Sequence, residues 1–206
     1  MIFQTQKARN MIDQILNTVI SLMNDDFGSI EPEVVLGNLA LVDTYNDDLN
    51  NSITDKVVLS VVNIQQESIL RNTPANRQVY NNLGQPNGVA RHPGIFLNIY
   101  ILIGANKSEY AIGLQRISQV LTFFQRSPIF TVAQIPSLPD FSLDKIIFDL
   151  HSTSFEELNQ LWGIMGGKYI PSVIYKMRLA YIDSIDTNAE ISLVRSIDAS
   201  FTNKSK

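Results

Sequence analysis

The sequence predicts an α/β (α+β) fold: a mixed, mainly antiparallel sheet with two long helices packed on it and a short corner helix. Three observations predict it. Residues 56–66 and 94–104 are apolar runs of strand length, the first with almost no polar face, which marks strands covered on both sides. Residues 5–25 and 107–125 repeat apolar side chains at three and four, the period of helices lying on a sheet. Residues 150–182 hold in one window the end of a strand, a capped helix, a glycine stop, a proline corner and a long strand.

Composition bounds what such a fold can do. A chain of 206 residues suits one large domain, expected over 1–182, with 183–206 as a C-terminal arm or edge strand. Hydrophobic residues make up 45% and charged residues 17%, low in charge for a soluble chain, which points either to a large core or, the favoured reading, to surface covered by partners. The net charge of -4 gives no general attraction to nucleic acid or anionic membrane. The absence of cysteine removes disulfides, thiolate metal sites and thiol nucleophiles together. The first residues, MIFQTQKARNMIDQIL, lack the apolar core of a signal peptide, and no run approaches the ~18–20 apolar residues of a membrane span. Cytoplasmic synthesis and folding are therefore expected.

In chain order, Ile12, Ile15, Leu16, Val19, Ile20 and Met23 form the stripe of the first helix, which Gly28 and Pro32 end. A short strand is expected at Val34–Leu36, followed by a polar loop at 43–52. The strand 56–66 should pair with 94–104. Between them, residues 68–92 carry Asn, Gly and Pro throughout and show neither period, so a long functional loop is expected. Asn106 and Glu109 have the spacing of a capping box, after which Tyr110, Leu114, Ile117, Leu121 and Phe124 mark the second helix. Ser127-Pro128 stops it, Pro136 and Pro139 mark an irregular passage, and 145–150 reads as a strand.

Ser154 and Glu157 make the clearest capping box. The corner helix 154–164 has Phe155, Leu158, Leu161 and Trp162 as its inner face, and Gly166 and Gly167 supply its stop. Pro171 blocks continuation. Val173, Tyr175, Met177, Leu179 and Tyr181 then alternate with Ile174, Lys176, Arg178 and Ala180, the period of a strand with one well-buried face. Beyond it, Ile191, Leu193 and Ile197 could make an edge strand or an arm.

Asn159, Leu161 and Trp162, followed by Gly166, Gly167, Lys168 and Tyr169, then Pro171, Ser172, Tyr175 and Lys176, resemble the signature of the cap or tail-terminator proteins of extracellular contractile injection systems of the antifeeding-prophage type. The likeness is strongest over 145–182 and extends faintly over 5–125. It implies a phage tail-terminator-like fold. It also implies a homo-oligomeric, six-fold ring that ends the inner tube and the surrounding contractile sheath, so that tube and sheath proteins are its partners. The particle would assemble in the cytoplasm and then be released or remain cell-associated. Nothing in the signature is a nucleophile or ligand set, so a structural role is expected for these residues. Family members often carry a further C-terminal part, which leaves the short 183–206 segment to make any sheath contact.

Enzyme chemistry is poorly represented. GIMGGK at 163–168 lacks the spacing of a phosphate loop and ends a helix where such a loop begins one. His92 and His151 belong to no metalloprotease or hydrolase motif. The pairs Asp25/Asp26, Asp47/Asp48 and Glu156/Glu157 read as solvated carboxylates or helix-end charges. Residues 183–190 lack calcium-loop spacing. No catalytic residue, cofactor or metal is expected, and neither nucleic-acid binding nor membrane insertion. Arg71, Arg77 and Arg91, with Tyr80 among them, are the local basic and aromatic concentration and the expected partner interface, against the plainer reading of solvated loop arginines. The alternatives are a non-terminal adaptor of the same particle and a small hydrolase or transferase using His151 with a carboxylate, which would need a deep polar pocket.

Overall fold

The computed structural model describes residues 10–28, 31–41, 53–67, 76–80, 86–90, 95–141 and 143–182. Packing divides the chain into two units, one of residues 1–71 and 95–182, the other of 72–94 and 183–206.

The larger unit is built on a six-stranded sheet. Its strands are β1 (Val34–Leu36), β2 (Lys56–Gln66), β5 (Ile95–Asn106), β6 (Ile129–Thr131), β7 (Lys145–His151) and β8 (Ser172–Ile182), in the spatial order β1-β2-β5-β8-β7-β6. The β1–β2 pair is parallel and every other pair antiparallel. The 56–66 strand therefore pairs with its expected partner, through a bulge that leaves Val62 unpaired between Val61 and Asn63.

Helices α1 (Met11–Phe27) and α2 (Tyr110–Arg126) cover one face. Ile15, Leu16, Val19, Ile20 and Met23 of α1 are buried against Val57, Leu59, Ile99, Ile101, Ile103, Met177 and Leu179, and Met11 extends the stripe where Ile12 is only half-buried. Gly28 ends α1 at φ 64°, a left-handed conformation that costs a residue with a Cβ about 1–2 kcal/mol. Rings of Phe123, Phe124, Phe130, Phe148 and Tyr175 pack at the far end of this core, with centroids 4.4–6.4 Å apart.

The opposite face carries a smaller core of Leu39, Val58, Leu102, Trp162 and Ile174 under α3 (Phe155–Ile164). The even and odd positions of β5 thus serve two cores, as its alternation predicts. A Cβ on Gly104 would come within 2.9 Å of the Cδ1 ends of Leu39 and Ile170, so a larger residue there would require those two side chains to shift.

Four expectations differ from the structure. Asn106 is the last residue of β5 and gives its amide to the Ile53 carbonyl at 2.9 Å, so it caps nothing. Helix α2 starts at Tyr110, and Glu109 makes no side-chain cap. Its buried stripe is Gly113, Ile117, Val120, Phe123 and Phe124, while Tyr110 and Leu114 are exposed. Phe155, expected inside the corner helix, is 93% exposed, because the first turn of α3 overhangs the small core. Finally, the 68–92 segment contains two paired strands. These are β3 (Asn76–Tyr80) and β4 (Pro86–Ala90), the described part of the smaller unit. Their sequences, NRQVY and PNGVA, carry no apolar alternation that would announce them. The three-residue β6 was likewise not foreseen. The possible strand through Ile191, Leu193 and Ile197 lies outside the described residues.

Candidate interaction surfaces

The signature side chains converge at the turn between α3 and β8. Trp162 is 5% exposed and lies in the small core, where its indole Nε1 has no hydrogen-bond partner among the described residues. The Tyr169 ring meets it edge-on at 5.6 Å while remaining 58% exposed. Gly166 and Gly167 take φ of 102° and 81°, and the Gly167 amide donates to the Trp162 carbonyl at 2.7 Å. These positive angles turn the chain back towards the sheet. Pro171 is buried, and its carbonyl accepts the Ala105 amide at 2.9 Å, just before Ser172 pairs with Gly104. Leu161 is half-buried in the small core, Asn159 is exposed, and Tyr175 belongs to the large core on the other face. Burial raises the Tyr175 phenol above its usual pKa, because the charged form is disfavoured away from water.

The cap of α3 forms as its residues predict. The Glu157 amide donates to Ser154 Oγ at 3.2 Å, and the Ser154 amide donates to Glu157 Oε2 at 2.8 Å. The bond from the Ser154 backbone, reinforced by its hydroxyl, holds the Glu157 carboxyl below its ordinary pKa. His151 stands 5.0 Å from the Tyr100 ring in edge-on contact. The described residues contain no group of three or more His, Asp or Glu side chains placed to hold a metal.

Charge elsewhere ties elements together. Glu33, at the entry to β1, receives Arg116 of α2 with Nε at 2.5 Å and Nη2 at 2.7 Å, and Lys107 at 3.4 Å. The backbone amide of Ser108 and the Lys107 ammonium hold the Asp55 carboxyl below its ordinary range. Arg126 and Asp26 pair the ends of α2 and α1.

Of the four expected interface residues, Arg77 and Tyr80 are on β3, opposite Val89 and Pro86 in register, while Arg71 and Arg91 lie outside the described residues. Sequence reading missed other features. Phe155, Ile164 and Tyr169 leave apolar surface on and after α3. Among the described residues the sheet also has two partly open edges, since β1 pairs only Val57–Leu59 of β2 and β6 only Lys145–Ile147 of β7. The available signal was length: a three-residue strand cannot cover a neighbour of eleven.

No helix among the described residues is long and apolar enough to cross a membrane. Residues 11–196 match the family model of the Pvc16 N-terminal domain. No curated protein matches the sequence significantly. Two solved structures are similar in fold. The sheath/tube terminator of the PVC extracellular contractile injection system, in its extended state, aligns with TM-score 0.53 and 12% identity, covering 100% of this chain and 64% of that one. The tube-terminating cap of the anti-feeding prophage aligns with TM-score 0.56 and 16% identity, covering 90% of this chain and 60% of that one. The chain thus spans less than two thirds of either.

Proposed function

The chain belongs to the Pvc16 N-terminal domain family, and from that premise we propose that it is a structural cap which ends the inner tube and contractile sheath of a phage-tail-like injection particle. The observation that carries this reading is the family match over 11–196, joined to a fold shared with two terminators. Both of those structures are terminators, which favours the terminal position over an adaptor placed elsewhere in the particle. The cap acts as a hexameric ring on the distal tube end, through contact surfaces and without turnover of a substrate. A closed ring presents no free growing end.

Within this reading the signature residues Asn159, Leu161, Trp162, Gly166, Gly167, Tyr169, Pro171, Ser172 and Tyr175 shape the α3-to-β8 corner, and partner contacts fall to Arg71, Arg77, Tyr80 and Arg91 and to residues 183–206. The particle assembles in the cytoplasm and is then released or stays cell-associated. The test is assembly in cells that make tube, sheath and baseplate with or without this chain. Without it, particles should have irregular length or bare tube ends. Particles of normal length, each with a terminal ring, in its absence would overturn the proposal.

A further inference from the structure

The two partly open edges of the sheet are complementary. Strands β2 and β8 run one way, β5 and β7 the other, with β2 and β7 one place in from opposite borders. On the β2 side, β1 covers Val57–Leu59, the end that pairs with the close of β5. Ser60 still meets this side through its hydroxyl, which accepts the Leu39 amide at 2.9 Å and donates to the Gly37 carbonyl; among the described residues, the stretch from Val61 to Gln66 has no paired strand there. On the β7 side, β6 covers Lys145–Ile147 and the Phe148 amide donates to the Pro128 carbonyl at 2.8 Å. Among the described residues, Asp149–His151, the opposite end of the sheet, has no paired strand on that side. Each border is therefore a step, and the two steps are diagonal to one another.

Backbone direction can be followed residue by residue. The Val57 amide and the Leu59 carbonyl bond outward, to Glu33 and Gly37. Alternation then sends the polar groups of Val61 outward. The bulge at Val62 shifts the parity, so those of Ile64 and Gln66 also point out, while the Glu67 amide turns inward to Phe96. On β7 the outward Phe148 amide places the polar groups of Leu150 outward as well. Side chains agree with this. Val61 and Ile64 sit opposite Ile101 and Ile99, and Leu150 opposite Tyr175, so all three lie on the face that carries α1 and α2. They are 38%, 49% and 56% exposed. The open stretch of β2 holds neither charge nor proline, the usual devices that keep an edge from pairing.

We propose that copies of this chain join head to tail by sheet extension, with the 61–66 edge of β2 lying antiparallel beside the 149–151 end of β7 in the next copy and Ile64 opposite Leu150. A neighbour of the same orientation brings an upward β7 beside a downward β2, which is the antiparallel arrangement, and keeps the helices of both copies on one side. A stagger along the strands lets β6 of one copy pass below β2 of the other and β1 pass above β7, as in a lap joint. The contact is heterologous, the kind that closes into a ring. The inference rests on the ring reading above and specifies its subunit joint.

The chain has no cysteine, so Ile64→Cys and Leu150→Cys provide single thiols at two half-exposed positions. The edges of one molecule are three strand spacings apart, about 14 Å, and an equimolar mixture of the two single variants can be bridged only between copies. With a short bismaleimide, at a concentration where light scattering shows oligomers, the mixture should yield a covalent dimer and neither variant alone should do so. Rings visible by negative stain with no bridged dimer would overturn the joint and leave the ring standing. A chain that stays monomeric even with tube protein would overturn both. Bridging by Ile64→Cys alone would mean a symmetric contact and overturn the head-to-tail joint. Bridging that appears only after the chain is cut following Ile182 would show the edge occupied by its own tail, which also overturns it.

Discussion

Trp162 shows how a single side chain can be conspicuous in sequence for a reason only the packing explains. Its ring fills the small core beneath α3, and Trp162→Ala should cost ~3–5 kcal/mol, read as a large drop in melting temperature or loss of soluble protein. The indole N–H has no partner among the described residues, so Trp162→Phe forfeits no hydrogen bond seen there and should cost much less. If Trp162→Ala instead melted like the parent but failed to assemble, the ring would be an interface anchor. Glu157 gives a pH test. Its pKa is lowered in the folded chain, so its stabilisation is complete above the ordinary carboxylate value of about 4.3 and disappears as pH falls through the depressed one. The parent should out-melt Glu157→Gln near neutrality and converge with it at strongly acid pH; an equal gap at all pH values would sink this account. The same pattern of cap and acid three residues apart was legible at Ser154 and misleading at Asn106. The difference is not local: Asn106 is committed to Ile53 and Ser108 to Asp55, some fifty residues away.

Elements were legible in proportion to how much of their pattern is burial. The strands at 34–36, 56–66 and 172–182 stand where they are expected, the second from an apolar run and the third from alternation, and α1 presents the expected stripe. In α2 the helix was legible but its rotation was not, since Tyr110 and Leu114 fit the spacing of three and four as well as Gly113 and Val120 do. Only the sheet decides which stripe turns in. The β3–β4 hairpin had no apolar signature to read, and β6, although it holds Ile129 and Phe130, is only three residues long. Within α3 and its stop, the glycines make opposite predictions. Gly163 is helical, with nothing within 4 Å of a Cβ built on it. Gly163→Ala should therefore stabilise by ~0.5–1 kcal/mol. Gly167 holds φ 81°, and Gly167→Ala should destabilise by about 1–2 kcal/mol. Denaturant midpoints would show the two variants on opposite sides of the parent. Both falling on the same side would mean that the turn after α3 is not what the positive φ implies.

At the scale of the molecule, packing divides the chain into two units. The two long segments that the core pattern does not explain, 72–94 and 183–206, fall together in the smaller unit. Arginine and tyrosine are the residue types that most often dominate a buried protein contact, which singles out Arg71, Arg77, Tyr80 and Arg91. Replacing all four with serine should leave the melting temperature nearly unchanged, since surface substitutions usually move stability within about 0.5 kcal/mol each. Assembly is what should fail. In cells making tube, sheath and baseplate, the quadruple variant should give particles of irregular length or ends without a ring, and so should a chain cut after Ile182. Because the proposed subunit joint uses β2 and β7, the quadruple variant should still bridge between Ile64→Cys and Leu150→Cys copies while failing to cap. Capped particles of normal length from both variants would move the partner contacts onto the sheet and helices. Loss of bridging in the quadruple variant would instead make the hairpin part of the ring contact itself.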